Sequence, residues 1–461
     1  MGSLTTALLN SASALEVYQQ AFNVIENNVT NANTPGFSAQ TQTLEAGPFD
    51  VGTGLLGGVI AGPVTSADSP YLDRAVRSQT QQLGSAQQQA SDLGAVQSLF
   101  DTTGQALVPG ALNAFFSSFS QLAVNPNDPA GRQDVITAAQ NVAQQFNANA
   151  TGIQQAATSV QNETSDTVST INNLASQIAN INQQYATTPD STQDGGLQAQ
   201  LNSALDQLSQ YANYTAISNP DGSDTILLGG QTPVVIGSQA LAISAHSASS
   251  GTVITDSQGN NITAQLQNTA SQTNGAALGS ELETTNVTLP GYLASLNSVA
   301  QTFADTVNTA LSQGVDSTGA APTVNLFQYN ATAGVAASLS VTNITPAEIA
   351  AASTSAPGGN GNALAIANLA TQPVLGGSTI TQAYGNLAGQ VGQDVANAQQ
   401  EQTTQQNLVD QAQQQRSAAS GVSLDAEAAQ LIQFQQAFQA IGQMVTTLNT
   451  LTQTLITMVA T

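Results

Sequence analysis

The chain contains no cysteine and no tryptophan among its 461 residues, its four basic residues are all arginine, and it has a single histidine. Without cysteine there can be no disulfide, no thiolate nucleophile and no thiolate metal ligand. One histidine, His246, cannot form the paired ligand sets or the base–nucleophile pairs that histidine usually supplies. We therefore expect no metal site, no cofactor and no catalytic residues, and the protein is predicted not to be an enzyme.

Positive charge is equally scarce. Four arginines stand against 28 acidic residues, which gives a net charge of −24. Binding of phosphates or of anionic lipid headgroups needs clustered cations, so neither nucleic acid nor a membrane is an expected partner. No stretch reaches the ~18 consecutive apolar residues of a membrane helix. The first residues lack a cationic start followed by an apolar block, so a cleaved signal peptide is not expected.

What the sequence does contain is an apolar repeat near both ends, with spacings that alternate between three and four residues. Near the N-terminus the repeat comprises Leu4, Leu8, Ser11, Leu15, Tyr18, Phe22, Ile25 and Val29. Near the C-terminus it comprises Leu431, Phe434, Phe438, Ile441, Val445, Leu448, Thr452 and Leu455. This spacing is typical of a coiled-coil seam. Because two seams of similar length bury each other most economically, the terminal segments are predicted to pair as helices.

The C-terminal segment also carries apolar residues outside its seam, namely Ile432, Met444, Leu451, Ile456 and Met458. A lone pair of helices gains little free energy beyond the entropy lost on ordering it. The extra residues therefore need another surface, which would come from other chains. The termini are predicted to be the assembly surface of a polymer.

The N-terminal helix must end abruptly at the sequence "NNVTNANTPGF". We assign a hinge motif to Asn28, Asn31, Asn33, Thr34, Pro35, Gly36 and Phe37. Proline has no N–H and pushes the preceding residue out of the helical region, and glycine can then turn the chain with a positive φ. The stretch is either a plain helix stop or a hinge that directs the helix into the next segment, and the second interpretation is favoured.

The residue pattern in the middle of the chain changes twice, from helical to strand-like and back to helical. Helical periodicity covers about 70–186 and 197–212. After a Pro-rich turn, Asp128 and Pro129 suit the start of a helix, and a further long helix is predicted over roughly 133–186. Residues 213–275 are rich in Val, Ile and Thr, contain "NPDGSDT", and read as hairpins. A helix begins near Pro290, residues 318–376 are loop-rich, and helix then continues to the C-terminus, interrupted at Gly421 and restarted by Ser423 as N-cap.

The predicted fold class is mainly α with inserted β. We expect an elongated multidomain chain with paired N- and C-terminal coiled-coil helices, a central helical bundle and one or more outer β-rich domains. The predicted domains are a terminal coiled coil (1–40 with 421–461), a helical bundle (41–212 with 276–317 and 377–420), a β-rich outer domain (213–275) and a mixed loop/β insertion (318–376).

Several stretches resemble one family. "NNVTNANTPGF" is similar to the N-terminal signature shared by bacterial flagellar rod, hook and hook-associated axial proteins. "SGVSLDAEAAQLIQFQQAFQAIGQMVTTLNTLTQTLITM" resembles the C-terminus of the hook-associated protein 1 (FlgK type) family. "NAFFSSFSQLAVNPNDPAGRQDVITAAQNVAQQFN" and "LPGYLASLNSVAQTFADTVN" are similar to its middle. The resemblance covers roughly 1–40, 70–186, 270–312 and 378–461.

The resemblance implies a structural adaptor at the hook–filament junction of the bacterial flagellum. The implied protein is exported unfolded through the flagellar type III channel without a cleaved signal peptide and works outside the cell. Its implied partners are further copies of itself in a ring, the hook protein below and the second hook–filament junction protein above. Before export, a dedicated export chaperone would bind the C-terminal helix.

Two other functions remain open at this point. Within the same class, the chain could be another axial protein, such as hook protein or distal rod protein, although those usually lack the helical bundle expected between 70 and 186. From another class, the variable middle could hold a hydrolase. With one histidine and no cysteine, only a carboxylate pair such as Asp221 and Asp224 is left for catalysis, and these two lie on one turn.

Three further features have structural interpretations. His246 is expected to be an exposed loop residue. Arg74, Arg77 and Arg132 could dock a partner, but pairing within the helical region with Asp73, Asp128 or Asp134 is favoured. Charged residues make up only 7% of the chain, and its polar positions are filled by Gln, Asn, Ser and Thr. Because such side chains do not titrate in acid, the protein is predicted to work in acidic surroundings.

Overall fold

The architecture is that of a computed structural model, which describes residues 2–48, 57–101, 107–188, 194–248, 251–268, 275–316 and 318–459. The chain is 67% helical, with a few small antiparallel sheets. The predicted fold class, mainly α with inserted β, is therefore confirmed. No helix in the described ranges is long and apolar enough to cross a membrane.

Twelve α-helices are found in the described parts of the chain. They are α1 (Gly2–Asn31), α2 (Pro70–Gln97), α3 (Val108–Leu122), α4 (Pro129–Thr187), α5 (Gly195–Tyr211), α6 (Thr263–Leu266), α7 (Ala276–Glu283), α8 (Leu289–Ser312), α9 (Val335–Ser338), α10 (Gly361–Asn368), α11 (Ile380–Ser420) and α12 (Leu424–Val459). A π-helical segment, Thr284–Thr288, joins α7 to α8.

The strands are short. They are β1 (Gln40–Ala46), β2 (Val59–Ser66), β3 (Tyr214–Ser218), β4 (Asp224–Leu228), β5 (Thr232–Ile236), β6 (Gln239–Ala240), β7 (Ser244–Ala248), β8 (Gly251–Thr255), β9 (Gly314–Val315), β10 (Phe327–Gln328), β11 (Ser340–Val341) and β12 (Ala352–Ser353). Strands β3 to β6 form one four-stranded meander, and the others pair as β1–β2, β7–β8, β9–β12 and β10–β11. The hairpin turn predicted at residues 219–223 is confirmed, since Asn219 N–H donates to Ser223 O.

Helix starts follow the predicted capping signals. Both carboxylate oxygens of Asp128 accept backbone N–H groups at the start of α4, from Ala130 (3.1 Å) and Gly131 (3.3 Å). Ser423 Oγ accepts the N–H of Ala426 (3.4 Å) at the start of α12. Because each oxygen satisfies an N–H that the helix itself leaves unpaired, these short polar residues fix where the helices begin.

The chain divides into two compact units. The first consists of 1–82, 170–242 and 405–461, and the second of 83–169 and 243–404. The core of the first unit contains five buried residues of α4 with alternating spacings of three and four, namely Ile171, Leu174, Ile178, Ile181 and Tyr185. Asn182 on the same helix donates to the carbonyls of Asp224 (2.7 Å) and Gly237 (2.8 Å), which ties α4 to the meander. The four-domain division drawn from the sequence stays a prediction.

An aromatic cluster forms the core of the second unit. Phe303 of α8 lies 5.3 Å from Phe115 of α3 and 5.0 Å from Phe327 of β10, measured between ring centroids. The segment 318–376 contributes further buried residues, among them Ile349 and Ile366. The loop-rich stretch is therefore part of the main core of this unit.

Candidate functional site

The two terminal helices pack against each other, as their seams predict. Tyr18 of α1 contacts Phe434 of α12 edge-on at 5.6 Å between ring centroids. One turn further on, Phe22 contacts Phe438 at 5.9 Å in the same geometry. Edge-to-face aromatic pairs at such distances are favourable beyond the area that they bury. The seam positions thus meet in pairs along the two helices.

The most buried stripe of α1 coincides with the predicted seam only at Ser11 and Ile25. It consists of small or medium-sized residues, namely Ser11, Ala14, Val17, Ala21, Ile25 and Asn28. The predicted seam residues Leu4, Leu8, Leu15, Tyr18 and Phe22 are half-buried, and Val29 is 47% exposed. The reason is that α1 packs on the hairpin β1–β2 as well as on α12. The buried stripe therefore faces two neighbours, α12 and the hairpin. It is shifted around the helix from the seam that the sequence predicts for a single partner helix.

Helix α12 leaves much of its apolar surface open. Its seam residues Leu431, Phe434, Ile441, Val445 and Leu448 are half-buried, whereas Phe438 and Leu455 are 36% and 38% exposed. Exposure is greater for the residues outside the seam: Ile432 56%, Met444 56%, Leu451 49%, Ile456 55% and Met458 70%. We call these five residues the outer stripe; Met444, Leu451 and Met458 recur every seven residues on one face of α12, and Ile432 and Ile456 lie on the adjoining faces. An apolar stripe along a helix of this length is unusual on a monomeric surface and typical of an interaction site.

A groove of about 610 Å³ opens between the two helices beside this stripe. Its walls are Phe22, Ile25, Glu26 and Val29 of α1 and Leu431, Gln435, Phe438 and Gln439 of α12. The groove thus contains the Phe22–Phe438 pair, three aliphatic side chains, two amides and one carboxylate. A groove of this kind can accept large apolar side chains from another helix.

Below the groove, Asn28 connects three segments of the chain. Its Nδ2 donates to Gln40 O (2.7 Å) at the start of β1 and to Glu427 Oε1 (2.8 Å) in the first turn of α12. Its Oδ1 accepts the N–H of Gln40 (2.8 Å). Asn28 is 1% exposed and Glu427 is 8% exposed. A buried amide with all its partners in place holds the end of α1, the hairpin and α12 in one arrangement.

The rest of the hinge motif forms a tight, anchored turn. Asn31 accepts a hydrogen bond from Thr34 Oγ1 (3.1 Å) and donates to Asn27 Oδ1 (2.6 Å). Gly36 has φ +78°, and a Cβ placed there would lie 2.5 Å from the carbonyl oxygen of Ala199 on α5. Only glycine fits this position. Asn33, Thr34 and Pro35 are exposed and Phe37 is half-buried. The structure does not test whether this corner works as a hinge, and that role stays a prediction.

Arginine side chains stabilise the same unit, but with partners other than those predicted. Arg77 Nε donates to Asp206 Oδ1 (2.9 Å), and Arg416 bridges Asp206 (2.7 Å) and Asp73 (3.5 Å). Burial raises the pKa of Asp73 to about 7, assisted by the hydrogen bond and negative charge of Asp68 and opposed by Arg77 and Arg416. The sequence could not reveal Asp206 or Arg416 as partners, because they lie far along the chain.

The other two arginines have no carboxylate partner among the described residues. Arg74 Nε donates to Pro70 O in its own helix. Arg132 is 3% exposed and donates to four carbonyl oxygens, those of Pro126, Pro346, Ala347 and Ile349. The predicted pairing with Asp73, Asp128 or Asp134 was therefore wrong for these two residues. Arg132 binds loop carbonyls because a buried guanidinium has five donors to satisfy.

The groups considered for catalysis or metal binding are not brought together. Asp224 is buried, whereas the side chain of Asp221 is exposed and accepts hydrogen bonds from Ser223 N (3.0 Å) and Oγ (2.7 Å) within its own turn. His246 is exposed but lies in strand β7 instead of a loop, 3.2 Å from Thr255 Oγ1. Within the described ranges, no group of three or more His, Asp or Glu side chains is arranged to hold a metal ion.

Comparisons with known proteins agree over nearly the whole chain. The family model of the flagellar hook-associated protein FlgK helical domain matches residues 93–327. The model of the flagella basal body rod protein matches 8–37, and that of the flagellar basal body rod FlgEFG protein C-terminal region matches 413–458. The matches to the rod protein models therefore lie in the two terminal segments. The large central match sets this chain apart from the rod proteins.

Individual relatives are similar from end to end. Flagellar hook-associated protein 1 of Bacillus subtilis is 25% identical, with 97% of this chain and 96% of the relative covered. The protein of the same name from Salmonella typhimurium is also 25% identical, with 97% and 98% covered. The structure of the flagellar hook junction protein FlgK from Burkholderia pseudomallei superposes with a TM-score of 0.66 at 17% identity, covering 75% of this chain and 99% of that one. This last likeness shows a shared fold.

Proposed function

The chain belongs to the family of the flagellar hook-associated protein FlgK, and on that premise we propose that it is the structural adaptor that joins hook to filament in the bacterial flagellum. The full-length similarity to hook-associated protein 1 carries this conclusion. The alternative of a hook or distal rod protein is not favoured, because the matches to the rod protein models lie in the terminal segments. The role is structural and involves no catalysis.

Assembly would proceed through α1 and α12. The outer stripe of α12 and the groove beside Phe22 and Phe438 are two different apolar surfaces on the same pair of helices. When one copy places its stripe in the groove of the next, the contact is heterologous, so the contacts repeat around a ring or along a helix. Such an interface suits a junction in a tubular structure, whereas two copies of one self-complementary patch would stop at a dimer.

The outer stripe supplies enough apolar surface for such a contact. Fully burying one large aliphatic side chain is worth roughly 1.5–3 kcal/mol. The five stripe residues are about half exposed, so covering them would contribute roughly 4–8 kcal/mol per copy. Association entropy opposes part of this. A single contact is therefore weak, and stable attachment requires the several contacts that each copy makes in a closed ring.

The polar corner around Asn28 would direct this assembly. Asn28 fixes α1 relative to β1 and α12 by three hydrogen bonds, and Gly36 fixes the following turn against α5. We infer that the hinge motif, Asn28 to Phe37, sets the direction in which the paired helices leave the rest of their unit. Copies with identical corners would then present their grooves and stripes at the same angle.

The remaining partners follow from the position in the flagellum. The hook protein would lie on one side of the ring and the second junction protein on the other. Before assembly, the outer stripe of α12 would be covered by an export chaperone, since an exposed apolar stripe promotes aggregation. Export would take place through the flagellar channel without a cleaved signal peptide. The net charge of −24 disfavours nucleic acid and anionic membranes as partners.

Labelling of intact flagella tests the location. Electron microscopy with an antibody against this chain should place the label at the boundary between hook and filament. A label along the whole hook or along the whole filament would contradict the proposed position and favour another axial protein.

A charge in the groove tests the assembly surface. Phe438→Asp should leave the purified chain folded, because Phe438 is already 36% exposed. In the assembled state the same position would bury an unpaired charge, which costs several kcal/mol. Cells with this variant should shed their filaments and lose motility. Gln436→Asp, which introduces the same charge at an exposed position of α12 outside the groove, is the matched control and should swim normally. Normal motility of Phe438→Asp would contradict the proposal that the seam is part of the assembly surface.

A further inference from the structure

Three carboxyl groups on three different helices meet in the second unit. They belong to Asp92 on α2, Glu163 on α4 and Glu281 on α7. Gln88 Nε2 donates to both Asp92 Oδ1 (2.7 Å) and Glu163 Oε2 (2.9 Å), and Thr167 Oγ1 donates to Glu281 Oε1 (2.7 Å). The packing of α2, α4 and α7 therefore brings these acids into one cluster.

Two of the three carboxyls are almost completely shielded from water. Asp92 is 4% exposed and Glu281 is 1% exposed. One oxygen of each, Asp92 Oδ2 and Glu281 Oε2, is buried without a hydrogen-bond partner. The hydroxyl of Thr164, which lies near Glu281, donates to the carbonyl of Val160 (2.8 Å) instead. A buried carboxylate with an unpaired oxygen is costly, whereas a protonated carboxyl is much less so.

In the described part of the chain, no arginine acts on Asp92 or Glu281. Among the described residues no ion pair involves these three acids. Arg132, on the same helix as Glu163, is bound to loop carbonyls, and His246 contacts a threonine hydroxyl. The charged groups that act on Asp92 and Glu281 are the other acids of the cluster. Burial raises the pKa of each to about 7; the polar side chains of Gln88 and Thr284 at Asp92, and of Thr167 and Thr164 at Glu281, oppose the shift, and the neighbouring negative charges reinforce it.

We propose that Asp92, Glu163 and Glu281 form a pH-responsive latch that holds α2, α4 and α7 together. With Asp92 and Glu281 protonated, the three helices pack as the structure shows. When both release their protons to solvent, like charges meet in a water-poor contact and the helices loosen. The helical unit is therefore tightest in acid and easiest to open at neutral pH.

The latch would have a use in a protein that is unfolded for export, and this use rests on the proposed function. In a neutral cytoplasm the ionised acids would ease unfolding before transport. In more acidic surroundings outside the cell, protonation would lock the helical unit after it folds. The latch itself depends only on the described side chains and can be tested on the isolated protein.

The direction of the pH effect follows from the raised pKa values. An acid whose pKa is higher in the folded chain stabilises the fold fully below its unfolded pKa, near 4, and loses that contribution as the pH rises to about 7. A difference of about three units corresponds to a change on the order of 1,000-fold in the unfolding equilibrium. Because both groups are raised and their contributions multiply, we take this factor as the minimum change expected for the pair.

The test is urea unfolding of the full chain between pH 4.5 and pH 8, with hydrogen exchange of the peptides around residues 83–97 and 276–288 as local reporters. The wild-type unfolding constant should rise on the order of 1,000-fold across this range. In Asp92→Asn/Glu281→Gln, whose amides imitate protonated carboxyls, the rise measured by the local reporters of the second unit should fall below about tenfold, while Asp73 in the first unit keeps its own pH dependence. Asp134→Asn removes an exposed acid from α4 and should behave as wild type. An unchanged pH profile in the double variant would overturn the proposal.

A second measurement covers the case in which the double variant does not fold. Carboxyl ¹³C shifts of wild-type protein labelled at Asp and Glu side chains should show Asp92 and Glu281 titrating near pH 7 beside Asp73 of the first unit, with the two latch signals assigned by the single variants Asp92→Asn and Glu281→Gln. Titration of all carboxyls below pH 5 would overturn the latch. Neither experiment involves assembly, so failure of the latch and failure of the junction role can be told apart.

Discussion

Replacement of Asn28 by alanine should release the start of α12 from α1 and β1 while the second unit stays folded. The side chain makes three hydrogen bonds of 2.7–2.8 Å and is 1% exposed. Two of the bonds join neutral groups and the third reaches the carboxylate of Glu427. Alanine would remove all three and leave their partners buried.

The magnitude can be estimated from these bonds. A neutral hydrogen bond contributes about 1 kcal/mol net and one to a charged group about 1.5–3 kcal/mol. The sum is about 3.5–5 kcal/mol for the corner. Since about 1.4 kcal/mol corresponds to a factor of ten, local opening should increase on the order of 300- to 3,000-fold. Bonds regained with water in the opened state would reduce the effect.

Hydrogen exchange of the peptides spanning residues 37–46 and 421–430 measures this opening directly. Asn28→Ala should raise exchange by at least 100-fold in both peptides and leave those of the second unit unchanged. Asn33 lies in the same motif but is exposed, so Asn33→Ala is the matched control and should change exchange less than threefold. An increase below tenfold for Asn28→Ala would refute the argument that this amide holds the corner.

A charged isostere separates hydrogen bonding from packing. Asn28→Asp keeps the shape but replaces the donor to Gln40 O and Glu427 by an acceptor, and it sets two carboxylates side by side at neutral pH. Like charges in a buried contact favour protonation of one of them. Asn28→Asp should therefore open more than Asn28→Ala at pH 7 and regain much of its protection at pH 5. Equal behaviour at both pH values would mean that Glu427 is not the decisive partner.

Three further predictions concern the fold. Gly36→Ala should lower the urea midpoint of the first unit by an amount corresponding to about 1–3 kcal/mol, because its Cβ would meet Ala199 O at a positive φ; an unchanged midpoint would contradict the close approach. Arg132→Met should destabilise the second unit by about 3–5 kcal/mol in the same assay, since four loop carbonyls lose their donor. The whole chain should keep its helical circular dichroism and most of its thermal stability at pH 3.5, and cooperative unfolding between pH 5 and pH 3.5 would refute the inference of acid tolerance.

Local chemistry was predictable from the sequence where one short stretch decides the outcome. Asp128 and Ser423 marked helix starts because a cap needs only a short polar side chain and the N–H groups that follow it. That the two terminal helices pack together followed from the period of their seams, and Tyr18 and Phe434 are two seam residues that meet. In each case the deciding contacts lie within one element or between two elements with matching repeats.

The displaced stripe of α1 shows where such reasoning stops. A period identifies a face but not the number of neighbours that share it, and the hairpin β1–β2 is a second neighbour of α1. The partners of Asn28 could not be predicted either, because Gln40 and Glu427 come together only when β1 and α12 are in place. The three-acid cluster could not be predicted from the sequence, because Asp92, Glu163 and Glu281 lie on separate helices.

Two independent features of this chain are suited to acidic surroundings. Coiled-coil helices are commonly flanked by Glu–Lys pairs, which lose their attraction once the carboxylates are protonated. Here α1 and α12 are flanked by amides and hydroxyls, and their pairing does not depend on such charges. In the second unit, acid protonates Asp92 and Glu281 and so removes a buried repulsion instead of breaking an ion pair. With four arginines as its only strong cations, the chain also gains little net positive charge when its acids are neutralised. Codon usage could explain the scarcity of lysine. It does not explain why two acids, Asp92 and Glu281, are buried in a helical core without an ion-pair partner among the described residues.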